Sequence, residues 1–341
     1  MILSRHTCRI CNIENNHPTF IGREMMFGTR EEFEYFQCNA CGCLQLKDIP
    51  KNLGKYYPSD YTPYALPEVT KQGRNWFTRI LQKQRCRTAL FGKHYKVNSI
   101  LKLIVDLPNA LYESPNEVSS VDRIISRAGL KSFDAPILDV GCGIYSYWLA
   151  SLEELGFTEL LGVDPLIPGD QNYGCIRITM SELCDVPGKF SLITLHHSLE
   201  HISNQEATLI QIEQHLMPDG VCVIRIPIIP SRVWEEYGTN WVELDTPRHL
   251  YLHSLKSLIL LANNAGLEVF DIQYDTTAFE FYGSEMYARG IPLTDENSPW
   301  INPNSTLFSK VEMDGFKDVA NTVNQSGQAG RAVFFLRKAF V

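Results

Sequence analysis

Two pairs of cysteines near the amino terminus have the spacing of metal ligands. Each pair follows the pattern Cys-x-x-Cys, and the pairs are Cys8 with Cys11 and Cys38 with Cys41. A gap of two residues lets both sulfurs of a pair bind one ion, and four thiolates complete a closed tetrahedron around zinc. We therefore expect a structural zinc site of the zinc-ribbon type in residues 1–50, with Cys43 outside it. The alternative is that these cysteines are buried without an ion.

Histidines cluster in two segments that offer a proton acceptor. The segment HHSLEH places His196, His197 and His201 after a predicted strand, where open α/β sheets bind their ligands. The segment TPRHLYLHS contains Arg248 and His249. Neutral imidazole titrates near the working pH and can take a hydroxyl proton. His249 and His201 are thus the candidate catalytic residues, and the alternative for each is a hydrogen bond that fixes a loop.

The segment ILDVGCGIYSYW begins like a nucleotide-binding loop and then departs from it. Gly141 and Gly143 let the backbone approach a ligand, but Ser146 replaces the third glycine of Gly-x-Gly-x-x-Gly. Asp139 would repel a pyrophosphate and suits an ammonium or a sulfonium instead. Asp164 ends the next strand, where a carboxylate accepts hydrogen bonds from both ribose hydroxyls. We expect a nucleoside cofactor with a cationic group, and a dinucleotide is the alternative.

These segments belong to a pattern of alternating strands and helices. Apolar strands are predicted at 136–140, 160–164, 190–195 and 221–227, and helices at 145–155, 203–216 and 254–265. A further helix is predicted to begin at Ser114, with Pro115 and Glu117 in its first turn. Continuous apolar strands between helices imply a parallel sheet buried on both faces. The predicted fold is α/β, with a doubly wound, mostly parallel, Rossmann-like sheet preceded by a small zinc ribbon.

The chain divides into three predicted regions. They are the zinc-ribbon module 1–50, a linker and basic helical segment 51–113, and a main domain 114–341 in which 278–330 is an insertion that shapes the acceptor site. The strand AVFFLRK follows this insertion. Trp234, Tyr237 and Trp241 offer flat apolar faces for a sugar ring, and the alternative is that they are core residues.

Charge is unevenly distributed along the chain. Residues 69–105 contain nine Lys or Arg and no Asp or Glu. Because the whole chain has a net charge of −8, the residues outside this segment carry a net charge of −17. This segment predicts a local anionic partner, such as a diphosphate or a membrane surface, and the alternative is a solvated helix face. No apolar run approaches the roughly 20 residues of a membrane-spanning helix, and we expect a cytoplasmic protein.

Four segments carry a resemblance to a known family. LDVGCG, LGVDP, FSLITLHHSLEHI and LMPDGVCVIRIP follow one another as in class I S-adenosylmethionine-dependent methyltransferases, which residues 137–275 resemble. The resemblance implies S-adenosylmethionine as cofactor, bound by Asp139, Gly141, Gly143 and Asp164, with His196 and His197 beside its methionine end. The family's loop has its third glycine at position 145, where this chain has Tyr145, and the fold usually ends in an antiparallel strand.

A second resemblance concerns the expected acceptor. The segment TPRHLYLHS resembles the corresponding segment of nucleotide-sugar C-methyltransferases from bacterial polysaccharide and deoxysugar pathways. Those enzymes also carry an N-terminal zinc module, which the cysteine pairs resemble. Their active site contains a Glu-His pair, and here Arg248 stands at the glutamate position before His249. Removing a carbon-bound proton needs a strong, oriented base, so the lost carboxylate favours methylation of a sugar hydroxyl.

The expected acceptor is a small-molecule or lipid-linked sugar, contacted by Trp234, Trp241 and Arg248. Three alternatives stay open: a nucleotide-sugar C-methyltransferase, a noncatalytic scaffold in which Tyr145 blocks the cofactor, and a nucleic-acid methyltransferase. A nucleic-acid methyltransferase is disfavoured, because residues 69–105 carry nine positive charges whereas the rest of the chain has a net charge of −17.

Overall fold

The computed structural model describes residues 2–58, 76–111 and 121–339. Its strands are β1 Ile2–Thr7, β2 Glu14–Arg23, β3 Glu32–Gln37, β4 Leu44–Leu46, β5 Ile137–Val140, β6 Leu160–Val163, β7 Gln171–Tyr173, β8 Ile176–Thr179, β9 Phe190–His196, β10 Leu216–Pro227, β11 Tyr251–Leu252, β12 Leu267–Tyr274 and β13 Arg331–Lys338. Its α-helices are α1 Trp76–Phe91, α2 Tyr95–Leu101, α3 Val121–Arg127, α4 Tyr147–Leu155, α5 Gln205–His215, α6 Arg232–Tyr237, α7 Leu255–Asn264, α8 Ala278–Ala288 and α9 Lys310–Ser326.

A central sheet forms the larger part of the molecule. Its eight strands lie in the order β12-β13-β10-β9-β5-β6-β8-β7. The pairs β10–β9, β9–β5, β5–β6 and β6–β8 are parallel, whereas β13 is antiparallel to both of its neighbours. The predicted α/β architecture, with a mostly parallel sheet and an antiparallel last strand, is confirmed.

The central strands are buried because their side chains are apolar on both faces. Every residue of β5 is buried, and five of the seven residues of β9 are. Helices cover the two faces, with α4 packed by Leu149, Leu152 and Leu155. The predicted start of a helix at Ser114, most of the predicted linker, and Lys71 and Arg74 lie outside the described residues.

The amino-terminal sheet is continuous with the main domain. Its order is β1-β2-β3-β4-β11, so the strand that follows His249 completes a sheet begun 250 residues earlier in the chain. One hydrophobic core includes Cys8 and Leu44 of this sheet together with Ile224 and Leu252 of the main domain. The predicted module 1–50 is therefore not a separate unit, because burying the edge of β4 requires a strand from the main domain.

The insertion before β13 contributes two helices, α8 and α9. The segment between them reaches the amino-terminal sheet, where Leu293 and Thr294 donate backbone hydrogen bonds to Met25 and Met26, each at 3.0 Å. The insertion thus helps to enclose the same region of the molecule as the amino-terminal sheet. Within the described ranges, no helix is both long enough and apolar enough to cross a membrane.

Candidate active site

The predicted cofactor loop lies at the carboxyl edge of the central sheet. Strand β5 lies between β9 and β6, so the strand order reverses there, and open α/β sheets bind ligands at such a point. Gly141 and Gly143 have φ angles of 70° and 68°, in the left-handed region that favours glycine. A Cβ atom at Gly141 would lie 2.5 Å from the Cβ of Ser198. Both glycines are therefore required by the backbone path of the loop.

Asp164 links this loop to the end of β6. One of its carboxylate oxygens accepts a hydrogen bond from the backbone of Gly143 and the other accepts one from Leu166, each at 2.9 Å. Burial raises the pKa of Asp164. Each carboxylate oxygen keeps a second lone pair, so the group can still accept hydrogen bonds from ribose hydroxyls.

Asp139 supports the loop from beneath. Its carboxylate accepts hydrogen bonds from the hydroxyls of Ser146 and Thr194, both at 2.7 Å, and only 3% of the residue is exposed. Burial raises the pKa of Asp139 to about 6. Both oxygens thus already accept a hydrogen bond within the protein, and the expected contact of Asp139 with a sulfonium stays a prediction.

Ser146, which replaces a glycine of the dinucleotide motif, begins helix α4. Its hydroxyl oxygen accepts a hydrogen bond from the backbone of Leu149 at 3.0 Å, the arrangement of a helix N-cap. The neighbouring Tyr145 contacts the rings of Tyr147 and Tyr173, with ring centroids 5.0 Å and 5.4 Å away. Tyr145 is thus packed among other tyrosines.

His196 and His197 lie at the end of β9, as expected from the sequence. Burial lowers the pKa of His196 to about 3 and holds the pKa of His197 well below its usual range, with Arg225 adding to both effects. Nδ1 of His197 lies 3.4 Å from Oε1 of Glu200. Both imidazoles are therefore neutral near pH 7.

His249 is the best-placed proton acceptor of the site. Its Nδ1 lies 2.7 Å from the carbonyl oxygen of Glu243, which can only accept, so Nδ1 carries the hydrogen. Its Nε2 is then the nitrogen available to take a proton, and it lies 3.9 Å from Oε1 of Glu200 and 3.9 Å from Oδ2 of Asp245. His249 is only 4% exposed. The ring is thus fixed with its basic nitrogen towards two carboxyl groups.

Glu200 is buried in an unusual state. Its side chain is fully buried, and within the described part of the chain neither carboxyl oxygen has a hydrogen-bond partner. Burial raises the pKa of Glu200 well above its usual range, and the nearby Glu243 and Asp245 add to this shift. Buried carboxyl groups without partners are costly, so such a group indicates a functional site.

His201 has the surroundings of a structural residue. Its Nδ1 lies 3.0 Å from the carbonyl oxygen of Arg248 and 3.2 Å from the hydroxyl of Tyr57. Burial lowers the pKa of His201 to about 3, and His249 adds to this effect. So weak a base does not collect a proton efficiently near neutral pH. These contacts favour the loop-fixing alternative for His201, and its catalytic role stays a prediction.

Arg248 is committed to contacts inside the protein. Its Nη2 lies 2.7 Å from Oδ1 of Asp245 and 3.1 Å from Oε1 of Glu24, and its Nη1 donates to the carbonyl of Tyr56 at 3.2 Å. Arg248 is fully buried. Burial raises the pKa of Asp245, but Arg248 and His249 outweigh this and hold it below its usual value. The expectation that Arg248 binds an acceptor's anionic group is therefore corrected.

The three aromatic residues predicted to contact a sugar differ in how deeply they are buried. Trp241 is fully buried and presents no face to a ligand, which corrects its assignment as a substrate contact. Trp234 is half-buried, and its ring contacts Phe20 of the amino-terminal sheet edge-on at 5.4 Å. Tyr237 is also half-buried, and its hydroxyl donates to Glu285 of α8 at 3.4 Å.

A second buried ionic group lies beside the histidines, and sequence reasoning missed it. Arg331 lies 3.2 Å from Asp275 and 3.7 Å from Glu243, and Arg225 also pairs with Asp275. Burial raises the pKa of Glu280 to about 8, and neither of its oxygens has a partner in the described residues. These residues come from four distant segments, so local sequence patterns carry no signal for them.

The four predicted metal-ligating cysteines meet at one point. The sulfurs of Cys8 and Cys41 lie 3.6 Å apart, those of Cys11 and Cys38 lie 3.5 Å apart, and all four lie within 4.8 Å of one another. Four sulfurs at a Zn–S distance of 2.3 Å are about 3.8 Å apart. The side-chain amide of Gln45 also donates to Cys8 at 2.9 Å, as suits a thiolate. The donor set fits a tetrahedral zinc ion.

Comparison with known families identifies the main domain. Residues 115–272 match the family described as methyltransferase domain. The match begins before α3, ends within β12, and includes the glycine loop, Asp164 and His249. The chain therefore contains a class I S-adenosylmethionine-dependent methyltransferase domain. No curated protein sequence matches the chain.

Solved structures show limited similarity. A mycolic acid cyclopropane synthase complexed with SAH is 16% identical, with 65% of this chain and 84% of that chain covered and a TM-score of 0.42. A cyclopropane synthase from Mycobacterium tuberculosis is 13% identical, with coverage of 78% and 100% and a TM-score of 0.41. A phosphoethanolamine N-methyltransferase from Haemonchus contortus is 17% identical, with coverage of 64% and 52% and a TM-score of 0.38. These values carry no information on the acceptor.

The cysteine cluster predicts one bound zinc ion per chain. Cys38→Ser should abolish zinc binding and increase hydrogen exchange in β4 and β11, because the two strands pair beside the cluster. Metal analysis by mass spectrometry and hydrogen exchange test this. Cys184→Ser, which changes an exposed cysteine, is the control and should keep the ion. Freshly purified, reduced protein without zinc would contradict the prediction.

Asp164 predicts the strength of cofactor binding. Asp164→Ala should weaken binding of S-adenosylhomocysteine by about 1.5–3 kcal/mol for each charged hydrogen bond lost. Calorimetry measures this directly. Asp170→Ala removes an exposed carboxylate that also accepts a backbone hydrogen bond, from Met180, and should leave affinity unchanged. Tighter binding of NADH than of S-adenosylhomocysteine would contradict the assignment.

Proposed function

We propose that this chain, whose residues 115–272 match a methyltransferase domain, methylates a hydroxyl group of a sugar in a cytoplasmic precursor of a surface polysaccharide. S-adenosylmethionine, when bound, supplies the methyl group. Gly141, Gly143 and Asp164 would hold this cofactor. For in-line transfer of that methyl group, the protein would mainly align acceptor and donor and remove a proton. His249 is the residue proposed to remove it.

The orientation of the His249 ring carries this proposal. The carbonyl of Glu243 fixes the hydrogen on Nδ1 and leaves Nε2 as the basic nitrogen. The ring lies near the carboxyl end of β9, because Oε1 of Glu200, four residues beyond the end of that strand, lies 3.9 Å from its Nε2. The three neighbouring histidines are weaker bases than a free imidazole, because burial lowers the pKa of His196 and His201 to about 3 and holds the pKa of His197 well below its usual range.

The choice of oxygen over carbon rests on the state of Glu200. Burial raises the pKa of Glu200 well above its usual range, which favours its neutral form. The negative charge that faces Nε2 of His249 is then that of Asp245, which Arg248 already pairs. A sugar hydroxyl transfers its proton as its oxygen attacks, and an imidazole alone suffices for that step. The sugar itself is supported by the resemblance of TPRHLYLHS and by the half-buried Trp234.

One observation favours C-methylation of a nucleotide sugar as a second candidate. The carboxylate that Arg248 replaces in sequence is supplied in space by Glu200, whose Oε1 lies 3.9 Å from Nε2 of His249. If a ligand's charge ionises Glu200, the pair becomes a base oriented for a carbon-bound proton. The noncatalytic alternative is less favoured, because Tyr145 packs on Tyr147 and Tyr173. The proposed zinc ion stays outside the chemistry, because four cysteine ligands leave it no open position.

The base assignment predicts a large effect of His249→Ala. Turnover with labelled donor and the sugar that a panel of nucleotide sugars identifies as acceptor should fall by roughly 10²–10⁴. Calorimetric affinity for S-adenosylhomocysteine should be unchanged, since His249 is outside the glycine loop. His94→Ala, which changes an exposed histidine, is the control. Near-normal turnover of the His249 variant would show that the histidine is structural.

The effect of Glu200→Gln on turnover should distinguish methyl transfer to oxygen from methyl transfer to carbon. For transfer to oxygen, turnover should fall far less than in His249→Ala, because a neutral glutamine mimics the neutral acid. For transfer to carbon, the two variants should lose activity to a similar degree, and deuterium next to a sugar carbonyl should exchange with solvent without donor. Nuclear magnetic resonance of the product distinguishes a methyl group on oxygen from one on carbon.

A further inference from the structure

A basic hairpin of two helices projects from the main domain. We define the basic hairpin as residues 76–105, which comprise α1, α2 and the turns that follow each helix. It contains seven Lys or Arg and no Asp or Glu, which leaves −15 for the rest of the chain. The hydrogen bonds of Arg85 and Arg87 go to neutral acceptors, the carbonyl of Val105 and the amide of Gln84. Within the described residues, these two arginines thus donate to neutral acceptors and not to carboxylates, and the hairpin itself contains no carboxylate side chain.

The basic hairpin also exposes large apolar side chains. They include Phe77, Ile80, Tyr95, Val97, Ile100, Leu103 and Ile104, and Leu103 is 80% exposed. Single exposed apolar residues are normal on a protein surface, but seven within one short segment indicate an interaction site. The opposite side of α1 packs on the main domain, where Cys86 is buried in a hydrophobic core with Ile124 and Leu152.

A groove between the two helices joins the apolar and basic features. Its volume is about 370 Å³, and its walls are formed by Ile80 and Leu81 of α1 and by Val97 and Leu101 of α2. Lys83, Gln84 and Arg87 complete the lining. An aliphatic chain beside an anionic group matches this combination of side chains.

A second cavity adjoins the groove through Arg87. It has a volume of about 230 Å³, and Arg87 lines it together with Lys93, His94 and Lys131. Three different segments of the chain thus direct cationic or ionisable side chains to one place. Phosphate oxygens are the natural ligands for such a set of donors.

We propose that the basic hairpin docks the protein on an anionic lipid bilayer. Lysine and arginine attract anionic headgroups, and exposed apolar side chains enter the boundary between headgroups and acyl chains. Nucleic acid fits the surface less well, because most of the exposed apolar residues are aliphatic and do not stack on bases. The acidic remainder of the molecule is repelled by the same bilayer, so only the basic hairpin approaches it.

The docking surface is remote from the cofactor loop. A Cβ atom at Gly156, which ends α4, would lie 2.8 Å from Cγ of Lys83, so α1 packs against the end of α4 away from the glycine loop. Docking therefore leaves the carboxyl edge of the central sheet accessible. The inference does not depend on which acceptor is methylated.

Vesicle co-sedimentation of the full chain tests the proposal. The protein should bind phosphatidylcholine vesicles that contain phosphatidylglycerol, bind pure phosphatidylcholine vesicles much more weakly, and dissociate as salt increases. Lys102→Ala with Leu103→Ser should lower the partition coefficient by at least about fivefold, the effect of one lysine at an anionic surface. Binding of S-adenosylhomocysteine should be retained, which shows that the variant is folded.

The matched control is Lys310→Ala with Val311→Ser on α9. Val311 is 81% exposed, as Leu103 is 80% exposed, and each follows an exposed lysine. The control should bind vesicles like the unaltered protein. Equal losses in both variants, or equal binding to both lipid compositions, would overturn the proposal. A dimer in analytical ultracentrifugation that only the hairpin variant dissociates, without vesicle binding, would instead identify a second copy as the partner, and RNA binding without vesicle binding would identify nucleic acid.

Discussion

The fully buried ion pair between Arg248 and Glu24 is the constraint on which the site depends. Arg248 precedes His249 in the main domain, and Glu24 lies just after β2 in the amino-terminal sheet, 224 residues away. Removing one partner of a buried pair leaves an uncompensated charge and costs about 3–5 kcal/mol. Asp245 completes the group on the same loop. The position of the candidate base is therefore set by a contact between two parts of the chain.

The amino-terminal sheet reinforces that contact with several others. Strand β4 pairs with β11, the hydroxyl of Tyr35 donates to the carbonyl of His249 at 3.0 Å, and Ser254 donates to the carbonyl of Cys41. Hydrogen bonds thus join the segment of the cysteine cluster to the loop that contains His249. A zinc ion held by these cysteines would affect the chemistry without taking part in it, because it would fix the strand against which the histidine loop packs.

Burial determines which ionisable side chains of the site are charged. Glu200 and Glu280 have raised pKa values, and the histidines at the end of β9 have lowered ones, since removing a group from water disfavours its charged form. The groups that stay charged, such as Arg331 and Asp275, are paired. The site therefore presents neutral donors and acceptors, whose protonation a charged ligand can change. The basic hairpin, by contrast, carries its charges exposed and away from this region.

Local patterns in the sequence determined the cysteine cluster, the glycine loop, the position of Asp164 and the buried, mostly parallel character of the central strands. Each depends on residues close in the chain or on the alternation of apolar segments, and both are readable without a structure. Only the tertiary structure decided that Glu200 supplies the carboxyl group facing His249, that Arg248 and Trp241 are buried, and that β11 completes the amino-terminal sheet. Such outcomes depend on which distant segments pack together, and burial then determines whether a polar side chain meets a ligand or a neighbour within the protein.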